Sequence, residues 1–131
     1  MKTSLISSGS SFEAIAGYSR AVVIEHDGWA EIAISGVTGF DHKAMTIAED
    51  APAQTRQCFA NIEGVLKQAG AGLEQIVRVR YLLTDPSQWD ELAPVFGEFL
   101  GAVRPAATAV VVTLIDPRMK IEIEVDARVA R

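Results

Sequence analysis

Two carboxylates near the C-terminus have the spacing that acid-base chemistry could use. Glu122 and Glu124 are two residues apart in a segment where apolar and charged residues alternate, so on a β-strand both side chains leave the same face. On a solvated face they are ordinary surface charges. If a neighbouring subunit covers part of that face, desolvation raises the pKa of a carboxylate there and makes it a candidate general acid or base. The pattern alone leaves both interpretations open.

Two arginines share a face in the same way. Arg78 and Arg80 lie in a second segment with a strand-like pattern. A guanidinium in a cleft there could hold a substrate carboxylate through two parallel hydrogen bonds. Cross-strand pairing with the acidic residues of the last strand is the favoured interpretation.

Other reactive residue types lack the partners that their chemistry requires. His26 and His42 have no metal-ligand spacing to a second His, Cys or carboxylate motif, so the sequence predicts no metal site. Cys58 falls on an apolar helical stripe and is predicted to be a small buried hydrophobe rather than a nucleophile. The glycines in residues 36–39 and 70–72 match no phosphate-binding loop, so no nucleotide cofactor is expected.

The elements that must position these residues follow from hydrophobic periodicity and turn chemistry. The patterns predict strands at 21–25 and 29–35, a helix of about five turns that is ended by Gly70, a strand at 75–84, a helix within 85–101, and strands at 106–115 and 119–129. Asp50 and Pro52 supply the capping chemistry for the start of the first helix. The second helix has Trp89 on its apolar stripe, and Pro94 predicts either a kink or a short first turn there. Residues 1–17 are predicted to be irregular or a weakly paired extra strand, and residues 36–48 to be a loop. In the strand at 75–84, Val77 is predicted to share a face with Val79 and Tyr81, opposite Ile76.

Composition limits the classes of protein. The 131 residues make one domain, 1–131, and 49% apolar against 22% charged residues is the balance of a folded chain. A net charge of -5 argues against nucleic acid as a partner. A single cysteine favours a reducing, cytoplasmic location, and no apolar stretch is long enough to span a membrane, so a soluble intracellular protein is expected.

The segment 106–115 is apolar on both faces, although two helices can cover only one face of a sheet. The missing cover is predicted to be another copy of the chain. The alternative is a strongly coiled sheet that folds over itself.

Several blocks of the sequence together resemble one family. They are Gly17-Tyr18-Ser19, Ser35-Gly36, Gln57-Cys58-Phe59-Ala60-Asn61-Ile62, Ala69-Gly70, Arg104-Pro105-Ala106 and Lys120-Ile121-Glu122-Ile123-Glu124. From about residue 12 to the C-terminus, the chain resembles the Rid family of reactive-intermediate deaminases, also called YjgF-like or endoribonuclease L-PSP proteins. The resemblance implies an α+β, chorismate-mutase-like sheet with two helices packed on one face. It also implies a barrel-like homotrimer with small-molecule clefts between subunits.

The resemblance implies a catalytic group that this sequence keeps. Deaminating members hydrolyse imines and enamines, such as 2-aminoacrylate, without metal or organic cofactor. Glu122 aligns with their water-activating glutamate, Tyr18 with a cleft tyrosine, and Gly36 with a glycine whose backbone approaches the ligand.

The resemblance also implies groups that this sequence has lost. Ala107 stands where the family has the arginine that holds the substrate carboxylate, and Ala109 where it has a cysteine. An asparagine that often lies in the second helix of family members aligns with Ala93 of this chain. Efficient hydrolysis of 2-imino acids in the usual pose is therefore not expected. Arg104 could substitute only if a bend at Pro105 brought it to the other face of its strand.

Two functions remain open at this stage. One is a cofactor-free hydrolase of an imine, enamine or related metabolite, with Glu122 positioning water. The other is a trimer that binds a small metabolite without chemistry. RNA cleavage, also attached to the family, is disfavoured by the acidic charge.

Overall fold

A computed structural model describes residues 2–131, which form one mixed sheet of six strands, a small two-stranded sheet and three α-helices. In chain order the elements are β1 (Lys2–Ile6), α1 (Ser11–Ala16), β2 (Ala21–His26), β3 (Trp29–Thr38), β4 (Phe40–Asp41), β5 (Thr46–Ile47), α2 (Ala51–Gln68), a 3₁₀ turn (Leu73–Gln75), β6 (Ile76–Leu83), α3 (Gln88–Leu100), β7 (Ala106–Val111) and β8 (Ile121–Ala130). The predicted order of strands and long helices is confirmed. Within residues 2–131, no helix is long and apolar enough to cross a membrane.

The six-stranded sheet has the order β1-β2-β3-β8-β6-β7. Its neighbours are antiparallel except for β6 and β7, which run parallel and are joined by α3. The two long helices lie together and α2 packs on β3 and β8. This arrangement confirms the predicted α+β class, and it leaves β8, the strand with the two glutamates, in the middle of the sheet.

The alternation predicted for the last strand is confirmed. Ile121, Ile123 and Val125 of β8 are completely buried beneath the helices, while Glu122 and Glu124 between them are only partly buried. The same core contains large apolar side chains of both long helices, among them Phe59, Ile62, Leu66, Leu92 and Phe96. The register of the core therefore fixes the acidic side chains of β8 on the opposite face of the sheet.

The start of α2 follows the predicted capping chemistry. Asp50 is the N-cap, and its side chain accepts a hydrogen bond from the backbone N–H of Ala53 at 2.8 Å. Pro52 occupies the first turn, where its missing N–H costs no helical hydrogen bond. The helix is 18 residues long, and Gly70 follows it with a left-handed φ of 75°.

Three local predictions were wrong or incomplete. Residues 1–17 contain the short helix α1 as well as the extra strand β1, and residues 36–48 contain the end of β3 and the β4–β5 hairpin rather than a loop throughout. These elements are too short for periodicity to reveal. The helix α3 continues through Pro94 to Leu100, and Trp89, predicted to be part of its apolar stripe, is half exposed.

The predicted faces of β6 were wrong at its first two residues. Ile76 is buried and Val77 is 42% exposed, the reverse of the prediction. The pairing of β6 with β8 is irregular between Ile76 and Arg78, and an extra residue there turns the preceding side chains to the other face.

The strand β7 lies at the edge of the sheet. It ends at Val111 rather than at Ile115, which is almost completely exposed. Every residue of β7 is exposed, so no other part of residues 2–131 covers it. A sheet folded over itself, the alternative to a second copy, is not what the chain forms.

Candidate functional site

An irregularity in β3 brings a backbone segment against the carboxylate of Glu122. The pairing of β3 with β8 is interrupted between Ile34 and Val37, so Ser35 and Gly36 form a bulge. A methyl group built on Gly36 would lie 2.8 Å from Cδ of Glu122 and would overlap its carboxylate. Gly36 is therefore required for the close approach of this backbone to Glu122.

Arg20 also holds the bulge. Nη1 of Arg20 donates to the carbonyl of Gly36 at 2.8 Å and to that of Ser35 at 3.4 Å. The Ser35 hydroxyl donates to the carbonyl of Ser19 at 2.6 Å. The guanidinium carbon of Arg20 lies 5.9 Å from the centre of the Tyr18 ring. The segment before β2 and the bulge in β3 thus form one hydrogen-bonded unit beside Glu122.

The surroundings of Glu122 favour its protonated form. Burial and the negative charge of Glu124 raise the pKa of Glu122 above its ordinary value, while the positive charge of Arg20 opposes this shift. On the helix side of the sheet, the thiol of Cys58 donates to the carbonyl of Val37 at 3.4 Å. Burial and the charge of Glu122 raise the pKa of Cys58, so this thiol remains protonated, as predicted for a buried residue. Glu122 is therefore the group in this cluster that is poised to exchange a proton.

The charges that act on Glu122 can be tested one at a time. We expect the pKa of Glu122, measured by carbon-detected NMR titration of the side-chain carboxyl, to lie above its ordinary value. Replacing Arg20 by Gln should raise that pKa further, and replacing Glu124 by Gln should lower it, because each change removes one of the opposing charges. A measured pKa of Glu122 at or below the ordinary value of a glutamate side chain would contradict this account.

The two arginines of β6 lie on the open face, on the same side of the sheet as Glu124. Nη1 of Arg80 is 3.4 Å from a carboxylate oxygen of Glu124 and 3.6 Å from one of Asp126. Arg78 is opposite Asp126 in the ladder of β6 and β8. Cross-strand pairing of Arg80 with the acids of the last strand is thus confirmed, and neither arginine makes a hydrogen bond to the bulge beside Glu122.

Comparison with known proteins places the chain in a family. The model of the family described as endoribonuclease L-PSP matches residues 8–129. The chain belongs to this family. The predicted resemblance is therefore confirmed.

Relatives of the L-PSP family extend over most of the chain. A RutC family protein of Pyrococcus horikoshii is 34% identical over 92 residues, which are 70% of this chain and 73% of the relative. The crystal structure of a YjgF/YER057c/UK114 family member from Mycobacterium tuberculosis is 40% identical, with a TM-score of 0.86 over 98% of this chain and 100% of that one. The structure of RidA from an Antarctic Psychrobacter is 30% identical, with a TM-score of 0.77 over 95% and 94% of the two chains. The fold is that of YjgF-like proteins.

Within the L-PSP fold, one chain brings together only some of the predicted site residues. Tyr18 and Gly36 both contact or approach Arg20, and Gly36 also lies against Glu122. Ala107 and Ala109 lie opposite Val79 and Tyr81, which are buried on the helix-covered side. Their side chains therefore leave the face opposite to that of Glu122. Residues at positions 107 and 122 of one chain cannot share a ligand.

Arg104 does not reach the Glu122 side either. It lies in the turn before β7, is exposed, and has a left-handed φ of 56°. Arg104 would need a bend at Pro105 to reach Glu122, and the left-handed backbone lies at Arg104 itself. No hydrogen bond or ion pair joins Arg104 to another part of residues 2–131 through its side chain.

Arg20 is the site residue that sequence analysis missed. The available signal was its position two residues after Tyr18, which puts both side chains on one side of an extended segment. Its role depends on the carbonyls of the bulge, and the bulge has no mark in the sequence other than Gly36. Within residues 2–131, no three His, Cys, Asp or Glu side chains are grouped in a way that could hold a metal ion.

Proposed function

We propose that this L-PSP family member is a homotrimer that hydrolyses a small imine or enamine in clefts between its subunits. The observation that carries the proposal is the carboxylate of Glu122, which is partly buried against the backbone of Gly36 and has a raised pKa. A carboxylate whose pKa is raised holds a proton more tightly than an exposed one, so it can both accept a proton and return it. No ion pair within residues 2–131 occupies it.

The proposed reaction consists of one addition and one elimination. Glu122 accepts a proton from water as the water oxygen bonds to the carbon of the C=N group, and the nitrogen takes a proton from solvent. The protonated Glu122 then returns its proton to that nitrogen, the C–N bond breaks, and ammonia leaves as the new hydroxyl group loses its proton to solvent and becomes the C=O group. Water is the only co-reactant, and the carboxylate is regenerated unchanged.

A specific observation favours a second candidate function. At positions 107 and 109 the chain has alanines, which offer no side-chain donor to a ligand. Loss of a charge-assisted contact costs about 1.5–3 kcal/mol, which could leave ligand binding without efficient turnover. The second candidate is therefore a trimer that binds a small metabolite and performs no chemistry.

Turnover separates the two candidates. The substrates are freshly generated 2-aminoacrylate and a panel of neutral and acidic imines. We expect ammonia release from at least one of them to exceed the uncatalysed rate and to depend on Glu122. The matched control is Asp126→Asn, which changes a carboxylate on the same strand and face that is not among the causes of the Glu122 pKa shift. No turnover over the panel, together with a rise in melting temperature on adding small molecules, would replace the hydrolase by the binding protein.

The proposed trimer makes a separate prediction. The edge strand β7 exposes apolar side chains and lines a cavity of about 310 Å³. Its lining residues are Leu83, Pro86, Trp89, Ala109, Val110 and Val111. An exposed apolar edge strand is a liability unless a partner covers it. We expect light scattering to give about 42 kDa, three times the 14.1 kDa chain, and Val111→Lys to lower that mass. A stable wild-type monomer at micromolar concentration would refute the trimer.

A further inference from the structure

We infer that Arg20 is the anion-binding residue of the Glu122 site, and that the ligand carries a carboxylate, or an anion of similar size, next to its reacting centre. This inference rests on the proposed function and deepens it, because it names the group that replaces the arginine missing at position 107. It assigns the two charged side chains of the site to different parts of one ligand.

The hydrogen bonds of Arg20 leave part of its guanidinium available. Only Nη1 donates within residues 2–131, to the carbonyls of Ser35 and Gly36. Arginine has five N–H donors in a rigid plane, so the bonds to the bulge fix the orientation of that plane while Nε and Nη2 retain donors for a ligand. A guanidinium that is already oriented loses less conformational entropy on binding an anion.

Arg20 differs in its partners from the other arginines. Arg56, Arg80, Arg118 and Arg131 each lie within 4.0 Å of a carboxylate of the chain, whereas Arg20 has no such ion pair within residues 2–131. Arg78, Arg104 and Arg128 also lack a close carboxylate, but none of them donates to the bulge beside Glu122. Arg20 is therefore the described arginine that combines the absence of a carboxylate within 4.0 Å with a fixed position at the site, although the charge of Arg20 also acts on the carboxylate of Glu13.

The positions of Arg20 and Glu122 allow one group to bind a ligand anion and the other to activate water. The backbone of Gly36 links the two groups, because its carbonyl accepts from Nη1 of Arg20 at 2.8 Å and a methyl group on its Cα would overlap the carboxylate of Glu122. They form no ion pair within 4.0 Å, unlike Arg80 and Glu124 at 3.4 Å. A ligand anion held by Arg20 then places an adjacent carbon toward Glu122, where water is activated. The ring of Tyr18, 5.9 Å from the guanidinium carbon, borders the same position.

A purely structural role for Arg20 is the competing explanation. Its hydrogen bonds to Ser35 and Gly36 would hold the bulge in place with no ligand present. Loss of that support would weaken every ligand alike. An anion-binding role instead changes the preference between a charged ligand and a neutral one of the same shape.

The test compares propionate with propionamide, which differ in charge but hardly in shape. Dissociation constants for the full chain are measured by NMR titration. We expect the wild-type protein to prefer propionate by about tenfold or more, the range of a charge-assisted bidentate contact. Arg20→Gln should reduce this preference to within about twofold, mainly by weakening propionate binding. The control Arg56→Gln, which removes an exposed arginine paired with Glu98, should leave the preference unchanged.

Several outcomes overturn the inference. The first is that Arg20→Gln weakens the binding of propionate and propionamide equally. The second is that the preference for propionate survives this substitution. The third is that the wild-type protein binds propionate no better than propionamide. If Arg20→Gln does not fold, Arg20→Lys serves instead. Lysine keeps the charge but not the planar pair of donors, so the preference for propionate should fall below that of the wild type.

Failure of this inference and failure of the proposed function give different results. An Arg20-dependent preference for propionate without turnover of any imine leaves the inference standing and removes the hydrolase. Turnover that depends on Glu122, with a preference that does not depend on Arg20, leaves the hydrolase and removes the inference.

Discussion

Replacing Glu122 by Gln should lower the rate of imine hydrolysis by about 10²–10⁴-fold, the usual contribution of a positioned general base. Glutamine keeps the size of the side chain beside Gly36 but cannot accept a proton from water. The loss should appear in kcat as well as in kcat/KM, because the group acts in the transition state. Steady-state ammonia release on the panel of imines measures it.

The same substitution should not destabilise the fold. The pKa of Glu122 is raised in the folded chain, so the folded state holds this proton more tightly than the unfolded state does. The stability that this proton contributes is fully present at a pH below the pKa of Glu122 in the unfolded chain. It is lost as the pH rises through the pKa of Glu122 in the folded chain. At neutral pH the ionised carboxylate thus costs stability, and Glu122→Gln should melt at the wild-type temperature or above it.

The outcome that contradicts the catalytic role concerns the rate. A hydrolysis rate of the Glu122→Gln variant above about a tenth of the wild-type rate would exclude Glu122 as the base.

Replacing Gln54 by Ala should lower the free energy of unfolding by about 3 kcal/mol or more, since several buried groups lose their partners at once. Gln54 is completely buried. Nε2 donates to the carbonyls of Ala48 and Arg118 at 2.7 and 2.9 Å, and Oε1 accepts from the backbone N–H of Lys120 at 2.8 Å. Each orphaned buried group costs about 1–3 kcal/mol, and the cavity left by the side chain adds to that cost.

The Gln54→Ala substitution should also affect the candidate site around Glu122. Lys120 directly precedes β8, so Gln54 connects the first turn of α2 to the start of the strand that carries Glu122. Urea unfolding should detect the loss, with Gln57→Ala as the control. Gln57 lies on the same helix and donates only to the side chain of Asn61, so its loss should cost less than about 1 kcal/mol. Equal effects of the two substitutions would show that the buried bonds of Gln54 contribute little.

Regular patterns made much of the fold predictable. The strict alternation of β8 and the apolar stripe of α2 give the sheet, its covered face and the position of Glu122 on the other face. These patterns depend on side chains that repeat every two residues or every 3.6 residues, and the buried core enforces them. Family-level blocks in the sequence further indicated Tyr18 and Gly36 as neighbours of Glu122.

The irregular parts of the site could not be predicted in the same way. A bulge adds one residue to a strand without changing its composition, so neither the approach of Gly36 to Glu122 nor the reversed faces of Ile76 and Val77 follows from a period of two. Arg20 was missed for the same reason. Its partners are backbone carbonyls, which every residue has, and only the three-dimensional path of the bulge turns them toward its guanidinium.

The placement of Arg20, Gly36 and Glu122 in one chain has a consequence for engineering. All three groups are supplied by the same polypeptide, and the bulge that unites them is made by its own strands. An insertion or deletion that shifts β3 against β8 would remove the bulge and separate the three groups, even if no charged residue were changed.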